Sequence, residues 1–240
     1  MTSMLNDPTL EALLERLHAQ SRGQSRELDE HFSLLSRTNR EQPLVDTGAK
    51  TFLADKLVAL DRDKAEFCYA LCRSVGAKQI VEVGTSYGVS TLYLAAAVRD
   101  TCAVSGGKGI VIGTEYEPAK AKAARTHFAE ARLSAFIDLR EGDLRETLKG
   151  IDGAVDFMLV DIWTPMARPA LELVAPHLRT GAIVVCDNTA DARNDYRDYF
   201  EFIRAPDNGF RTMTLPFDGG LEFSVKCGDI GKRDSAPRAF

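Results

Sequence analysis

The fold is decided by residues 80–91, which read Ile80-Val81-Glu82-Val83-Gly84-Thr85-Ser86-Tyr87-Gly88-Val89-Ser90-Thr91. An apolar strand breaks into a loop with a glycine at each end, and the apolar run at 93–97 predicts a helix after it. Glycine lets the backbone approach a ligand closely, and Ser90 or Thr91 is expected to cap the helix. The stretch therefore predicts a loop that binds a cofactor, with a plain tight turn of an α/β protein as the alternative.

Short apolar runs alternate with helical stretches after Gly76, a pattern typical of a parallel sheet with helices on both faces. Alternating runs at 210–215 and 221–226 flank a glycine turn at 217–220 and predict a closing antiparallel hairpin. The other strands are expected at 79–83, 109–113, 135–139, 155–160 and 181–186. The chain is therefore predicted to be an α/β protein with a seven-stranded, mostly parallel sheet of the Rossmann-like type.

Two amphipathic helices are predicted ahead of the first strand. Asp7-Pro8 provides an N-cap and a first helical position for a helix that ends before Arg22-Gly23, and residues 28–35 form the second. We expect residues 1–45 either to cover a substrate pocket or to form a dimer contact. A loop is expected at 42–50, a helix at 61–75, a helix at 118–132 and a loose tail at 228–240.

Composition and charge restrict the class of protein. With 240 residues and no linker-like run, the chain is expected to form one domain over 1–240. A net charge of -5 without a basic stripe argues against nucleic-acid binding, and no apolar run is long enough to span a bilayer. Glu11 and Glu15 interrupt the first helix, which argues against a mitochondrial presequence, so we expect a cytoplasmic protein. The five scattered cysteines fit reduced thiols, with Cys68 and Cys72 in the core rather than on a metal.

Carboxylates follow four of the five parallel strands, at the edge where open α/β sheets bind ligands. They are Glu115, the pair Glu141 and Asp143, Asp161, and Asp187, which is followed by Asn188. Like charges that converge at one edge repel each other unless they are hydrogen-bonded, ligated or offset by a cation. A solvated strand end is the alternative for each acid alone, but the whole set predicts a ligand site.

The position of each acid suggests a role. Glu115 ends the second strand, where Rossmann-like folds place a carboxylate on the ribose hydroxyls of a nucleotide. Asp143 is suited to accept from an adenine amine, and Tyr116 to lie on the adenine face unless it only packs. The three residues Asp161, Asp187 and Asn188 offer hard oxygen ligands from neighbouring strands, which favours magnesium over zinc.

Together these residues resemble the class I S-adenosylmethionine-dependent, cation-dependent O-methyltransferases, which include the catechol and caffeoyl-coenzyme A O-methyltransferases. The resemblance runs from residue 45 to residue 226. Its specific part is Asp161 with the pair Asp187-Asn188, since most methyltransferases share the glycine motif. It implies the Rossmann-like methyltransferase fold, S-adenosylmethionine as cofactor, a divalent cation and a homodimer. Mg²⁺ is the expected cation, with Mn²⁺ or Ca²⁺ as alternatives.

The resemblance also implies roles residue by residue. Asp161, Asp187 and Asn188 would hold the metal, and Asp161 would also be catalytic. Trp163 would line the substrate cleft, unless it only packs. The residues expected at the cofactor are Glu82, Gly84, Ser86, Gly88, Ser90, Glu115, Tyr116, Gly142, Asp143 and Asp161.

One position departs from the family pattern. The family has a lysine three residues after the first metal-ligating aspartate, whereas this chain reads Asp161-Ile162-Trp163-Thr164. Either another residue supplies the general base, or the metal alone generates the nucleophile. The expected reaction is in-line methyl transfer to a metal-bound phenolate of a vicinal diphenol, such as a catechol, a polyphenol or a flavonoid-like compound. A non-catalytic S-adenosylmethionine-binding protein is the alternative; an NAD(P)-dependent oxidoreductase is disfavoured because the loop lacks G-x-G-x-x-G spacing.

Overall fold

The computed structural model describes residues 4–38, 51–190 and 194–228. Within these ranges the strands are β1 (Gln79–Val83), β2 (Ile110–Glu115), β3 (Ile137–Glu141), β4 (Val155–Val160), β5 (Leu178–Asp187), β6 (Phe210–Leu215) and β7 (Leu221–Lys226). They form one sheet in the order β3-β2-β1-β4-β5-β7-β6. Strands β1 to β5 pair in parallel, and β7 is antiparallel to both β5 and β6. The predicted seven-stranded sheet with its closing hairpin is confirmed.

Helices cover both faces of the sheet. They are α1 (Pro8–Arg22), α2 (Ser25–Thr38), α3 (Arg62–Ser74), α4 (Val89–Ser105), α5 (Pro118–Glu130), α6 (Leu144–Thr147), α7 (Thr164–Val174) and α8 (Arg197–Arg204). Residues of α1, α3, α4 and α5 join one hydrophobic cluster, and residues of α6, α7 and α8 join another. The pleat of β1 separates the two clusters, because Ile80 belongs to the first and Val81 to the second. The predicted α/β architecture is confirmed.

Strands β1, β4, β6 and β7 have the predicted bounds, whereas β2, β3 and β5 differ. Strand β3 begins later because a 3-10 helix, Ser134–Phe136, precedes it, and its pairing with β2 continues until Glu115 lies opposite Glu141. Strand β5 begins earlier than expected because its pairing with β4 resumes across an irregularity between Val155 and Phe157. Glu115 and Glu141 are therefore the last residues of their strands and not loop residues.

Helix α1 forms as its sequence predicts. The Asp7 side chain accepts a hydrogen bond from the amide of Leu10 at 3.1 Å, and Pro8 opens the first turn. His18 Nε2 lies 3.2 Å from the hydroxyl of Tyr93 on α4, and burial lowers the pKa of His18 to about 4. The helix therefore packs against α4 through a buried polar contact as well as through its leucines.

Several sequence-based expectations concern the chain as a whole. No helix in the described ranges combines the length and the apolar character needed to cross a bilayer. All five cysteines are free, and Cys68 and Cys72 are buried, as expected of core residues. The loop expected at 42–50 and the tail beyond residue 228 lie outside the described residues. The single domain and the use of residues 1–45 stay predictions.

Candidate functional site

Residues 84–88, which lead from β1 to α4 and which we call the glycine loop, pack against the end of β4. Gly84 has a φ of 95°, and a Cβ there would lie 1.8 Å from the carbonyl oxygen of Asp161. The amide of Asp161 in turn donates to the carbonyl of Val83 at 3.1 Å. At the other end of the loop Gly88 has a φ of 82°, and a Cβ would meet the ring of Phe128 at 2.4 Å. Both positions thus require glycine, for conformation and for space.

Glu82 supports the loop from below. Its side chain is fully buried, and its Oε2 accepts hydrogen bonds from the hydroxyls of Thr91 and, at 3.0 Å, Thr85. Burial raises the pKa of this carboxyl, and hydrogen bonds from Thr91, Ser90 and Thr85 oppose the rise. The expectation that Ser90 or Thr91 caps α4 is wrong, because Gly88 is the N-cap and makes no side-chain hydrogen bond. A buried carboxylate needs donors, and hydroxyl groups of the loop and of α4 supply them.

Glu115 ties the glycine loop to the end of β2. Its Oε2 accepts from the amide of Ser86 at 2.6 Å, and its Oε1 accepts from the amide of Glu117 at 2.7 Å. The residue is only 8% exposed. A carboxylate has about four lone-pair sites, so it can still accept from the hydroxyls of a ribose. The residue predicted to hold the ribose therefore also fixes the shape of the loop.

The predicted adenine side lies at the ends of β2 and β3. Gly142, with a φ of 126°, donates its amide to the carbonyl of Glu115 at 2.9 Å, so the two strand ends are held together. Asp143 is the N-cap of α6, and it also forms an ion pair with Arg145 at 2.5 Å. Tyr116 is 58% exposed beside them. The structure thus gathers these residues at one end of the site, where their contacts with adenine stay a prediction.

A segment that the sequence did not single out faces the glycine loop. A narrow cavity is lined by residues 57–60, by residues 84–87, 89 and 90, and by Asp161. The side chain of Gln24 makes two hydrogen bonds of 3.2 Å with the backbone of Leu57, and Ser21 accepts from the amide of Ala59 at 3.1 Å. The end of α1 and the turn that follows it therefore hold residues 57–60 over the loop.

Two acids meet at the ends of β4 and β5, of which Asp187 is buried and Asp161 is half-buried. Val160 pairs with Cys186, so Asp161 and Asp187 follow side by side on neighbouring strands. Burial raises the pKa of Asp161 well above its ordinary value, and the charges of Asp187 and Glu82 raise it further. Burial also raises the pKa of Asp187, although a neighbouring ammonium opposes the rise. We call Asp161 and Asp187 the acid pair.

The ammonium beside the acid pair belongs to Lys64 of α3, which the sequence analysis missed. Its Nζ lies 2.8 Å from Asp187 Oδ1 and 3.1 Å from Asp61 Oδ2, and its side chain is 1% exposed. Asp187 Oδ1 has no well-directed hydrogen bond in the described ranges, so its contact with Lys64 is an ion pair. A signal was present: Lys64 lies three and four residues before Phe67 and Cys68, on the buried face of the helix.

The acid pair has a donor set that fits a hard divalent cation. Two carboxylates and the amide oxygen of Asn188 are donors of the kind that Mg²⁺ and Ca²⁺ take. The charges of three other carboxylates raise the pKa of Asp161, and the charge of one ammonium, that of Lys64, lowers it. The excess negative charge at this edge is one that a divalent cation would offset. No group of three His, Cys, Asp or Glu side chains in the described ranges could hold a metal. A cation at this edge would therefore depend on the asparagine as well as on the acids.

The remaining predicted residues flank the acid pair. Asn188 is exposed and takes the left-handed conformation, with a φ of 55°, which asparagine tolerates better than most residues. Its amide donates to the carboxylate of Asp187 and lowers the pKa of that group. Trp163 is half-buried at the N-cap of α7, and Thr164 is the first residue of that helix. The structure brings these residues to one edge of the sheet, and their roles stay predictions.

The seven-stranded sheet and the glycine loop have the arrangement of the Rossmann-like methyltransferase fold, and solved structures share it. A putative O-methyltransferase from Klebsiella pneumoniae has a TM-score of 0.65 and 21% identity, with 92% of this chain and 90% of that chain covered. The O-methyltransferase from Bacillus cereus, solved in complex with SAH, has a TM-score of 0.63 and 20% identity, with 92% and 91% covered. At these identities the likeness shows the fold alone.

The sequence comparisons point to the family. Residues 81–189 match the family model described as a methyltransferase domain. The catechol O-methyltransferase of Mycobacterium tuberculosis is 26% identical over 132 residues, which are 55% of this chain and 57% of that protein. The match thus spans little more than half of that relative. The predicted resemblance of the chain to the class I O-methyltransferases is confirmed, and the match to the methyltransferase domain covers residues 81–189.

Proposed function

We propose that this protein transfers the methyl group of S-adenosylmethionine to one hydroxyl of a vicinal diphenol, with a divalent cation at the acid pair. One observation carries the proposal: the glycine loop and the acid pair share a backbone junction, where Gly84 packs directly on the carbonyl of Asp161. A methyl donor held by the loop would therefore lie next to the acids. Closeness and orientation of this kind account for much of the rate enhancement in group transfer.

The residues of the loop suit the cofactor in two parts. The backbone of residues 84–88 would surround the methionine portion, with Glu82 as support from below and Ser90 beside it. Glu115 would accept from the ribose, and Tyr116 and Asp143 would border the adenine. The hydrogen bond between Ser86 and Glu115 supports this division, because it couples the ribose acceptor to the loop.

The residues of the acid pair suit the substrate side. Asp161, Asp187 and Asn188 would hold the cation, most simply Mg²⁺, with Mn²⁺ or Ca²⁺ as alternatives. When bound, such an ion lowers the pKa of a coordinated hydroxyl and orients two adjacent oxygens. Trp163 would form a wall of the cleft. In the transfer, the new O–C bond forms as the S–C bond of the sulfonium breaks, and the hydroxyl proton has already left to solvent.

The proposal includes the setting of the enzyme. A homodimer in the cytoplasm is the expected form, with a small diphenol as partner and with neither nucleic acid nor membrane involved. Size-exclusion chromatography with light scattering would test the dimer, since a monomer at micromolar concentration would contradict it.

The test is methyl transfer from labelled S-adenosylmethionine to a panel of vicinal diphenols, with added Mg²⁺ or with EDTA. We expect product only with metal, and none from Asp187→Ala although that variant still binds the cofactor. Lys78→Met is the control, because Lys78 lies at the opposite end of β1 and its side-chain ammonium donates to the Gly106 carbonyl, away from the acid pair. Cofactor binding without transfer to any diphenol would favour a binding protein, and lack of cofactor binding would overturn the proposal.

A further inference from the structure

Lys64 is an unusual residue in its surroundings. Lysine is rarely buried unless it is paired, and here the side chain is 1% exposed. Its ammonium contacts Asp187 Oδ1 at 2.8 Å and Asp61 Oδ2 at 3.1 Å. The two partners differ, because the Asp61 side chain is 57% exposed whereas that of Asp187 is 6% exposed. The strong contact of Lys64 is therefore the one with the acid pair.

The contact concerns the same carboxylate that a divalent cation would use. An ammonium 2.8 Å from Asp187 Oδ1 occupies one face of that oxygen. A cation that approached the carboxylate would meet a like charge at close range, in a buried environment where charges interact more strongly than in water. Lys64 therefore acts on Asp187 in two opposite ways. It holds the carboxylate in place, and it opposes a second cation there.

We propose that Lys64 is a positioning residue of the acid pair that competes with the divalent cation for Asp187 and so keeps the affinity for metal low. This inference rests on the cation site of the proposed function. The ammonium supplies the compensating charge when no metal is bound, so the site stays folded without metal. A cation that binds must overcome repulsion by the ammonium. Removal of the lysine therefore makes the cation bind more tightly and makes the stability of the fold depend on the bound cation.

The experiment is a titration of the full chain with Mn²⁺, followed by electron paramagnetic resonance of the free ion, together with melting temperatures in EDTA and in Mn²⁺. The variants are Lys64→Met and Lys64→Gln, of which the second keeps a donor for Asp187 without the charge. Lys64→Arg keeps the charge. Lys78→Met removes an equivalent charge from the opposite end of β1, where Lys78 bonds the carbonyl of Gly106.

We expect both neutral variants to bind Mn²⁺ about tenfold more tightly or better, the gain expected when a like charge at close range is removed. Their melting temperatures should fall in EDTA and recover in Mn²⁺, while Lys64→Arg and Lys78→Met retain the wild-type affinity. Lowered stability alone, with unchanged Mn²⁺ affinity, would show a merely structural lysine and overturn the inference.

The outcomes separate this inference from the proposed function. Tight Mn²⁺ binding by the neutral variants with none by the wild type would support the role of Lys64 and refute metal use by the native enzyme. Equal binding by all would refute the role and leave the cation site intact. An absence of binding in every variant would refute both. The inference requires that bound Mn²⁺ replaces the positive charge of the missing ammonium. Neutral variants that fail to fold even with saturating Mn²⁺ would therefore also refute the role.

Discussion

The junction of Gly84 with Asp161 gives a quantitative prediction for Gly84→Ala. The added Cβ would lie 1.8 Å from the Asp161 carbonyl oxygen and 2.8 Å from its carbonyl carbon. Carbon and oxygen atoms in contact rest about 3.3 Å apart or more, so the ends of β1 and β4 must separate by roughly 1.5 Å. The positive φ of 95° adds a cost of about 1–2 kcal/mol for any side chain. Because both clashing atoms belong to the backbone, no rotamer change relieves the overlap.

Gly150→Ala is the matched control for this substitution. Its φ of 74° is also positive, but nothing lies within 4 Å of the new Cβ, so it reports the conformational cost alone. We expect Gly84→Ala to lower the free energy of unfolding by about 1–3 kcal/mol more than Gly150→Ala, the usual cost of overpacking. Urea unfolding followed by circular dichroism measures the difference. Calorimetric titration should show weaker S-adenosylmethionine binding for Gly84→Ala only. Equal stabilities of the two variants would refute the argument that the strand ends meet at Gly84.

Three further predictions follow from other parts of the site. Glu115→Gln leaves one backbone amide, that of Ser86 or of Glu117, without its carboxylate acceptor, so cofactor affinity should fall about tenfold, the equivalent of about 1.4 kcal/mol; unchanged calorimetric affinity would contradict the coupling. Burial lowers the pKa of His18 to about 4, so the folded state resists its protonation and stability is lost as pH falls from 6.5 towards 4. The loss should reach about 3 kcal/mol and be absent in His18→Gln, and parallel pH profiles of unfolding free energy for the two proteins would refute it. Thr164→Lys should move the acid limb of the pH–rate profile to lower pH, because a second positive charge beside the acids favours an ionised hydroxyl; a profile that does not move would mean that the base function lies elsewhere.

The sequence predicted the sheet well because buried parallel strands have a distinctive sequence pattern. A strand covered on both faces is an apolar run, and the runs that became β1 and β4 end at residues whose chemistry changes abruptly, Gly84 and Asp161. The hairpin bounds followed from period-two alternation on either side of a glycine turn. Where bounds were wrong, pairing decided them: the ladder of β2 and β3 continues to Glu115 and Glu141, and no local pattern reports the length of a partner strand.

The sequence predicted less about the side chains around the site. Ser90 and Thr91 have the local pattern of helix caps, but the demand of the buried Glu82 carboxylate for donors outweighed the local preference. The ion pair of Lys64 with Asp187 and the hold of Gln24 on residues 57–60 both join elements that are distant in the chain. Such contacts depend on how helices dock on the sheet, which periodicity does not specify. For the ion pair with Asp187, the position of Lys64 on an apolar face of its helix was the local sequence signal.

The two halves of the candidate site are mechanically connected, and this has a consequence for how substitutions should be interpreted. Glu115 holds Ser86 of the glycine loop, the loop ends in Gly84, and Gly84 packs on the backbone of Asp161 in the acid pair. A change at the predicted ribose acceptor can therefore displace an acid on the substrate side without touching it. Loss of transfer in a loop variant is thus not evidence of lost cofactor contact unless binding is measured separately. Only variants such as Lys64→Gln, which alter charge at the acid pair and leave the loop intact, separate the two halves.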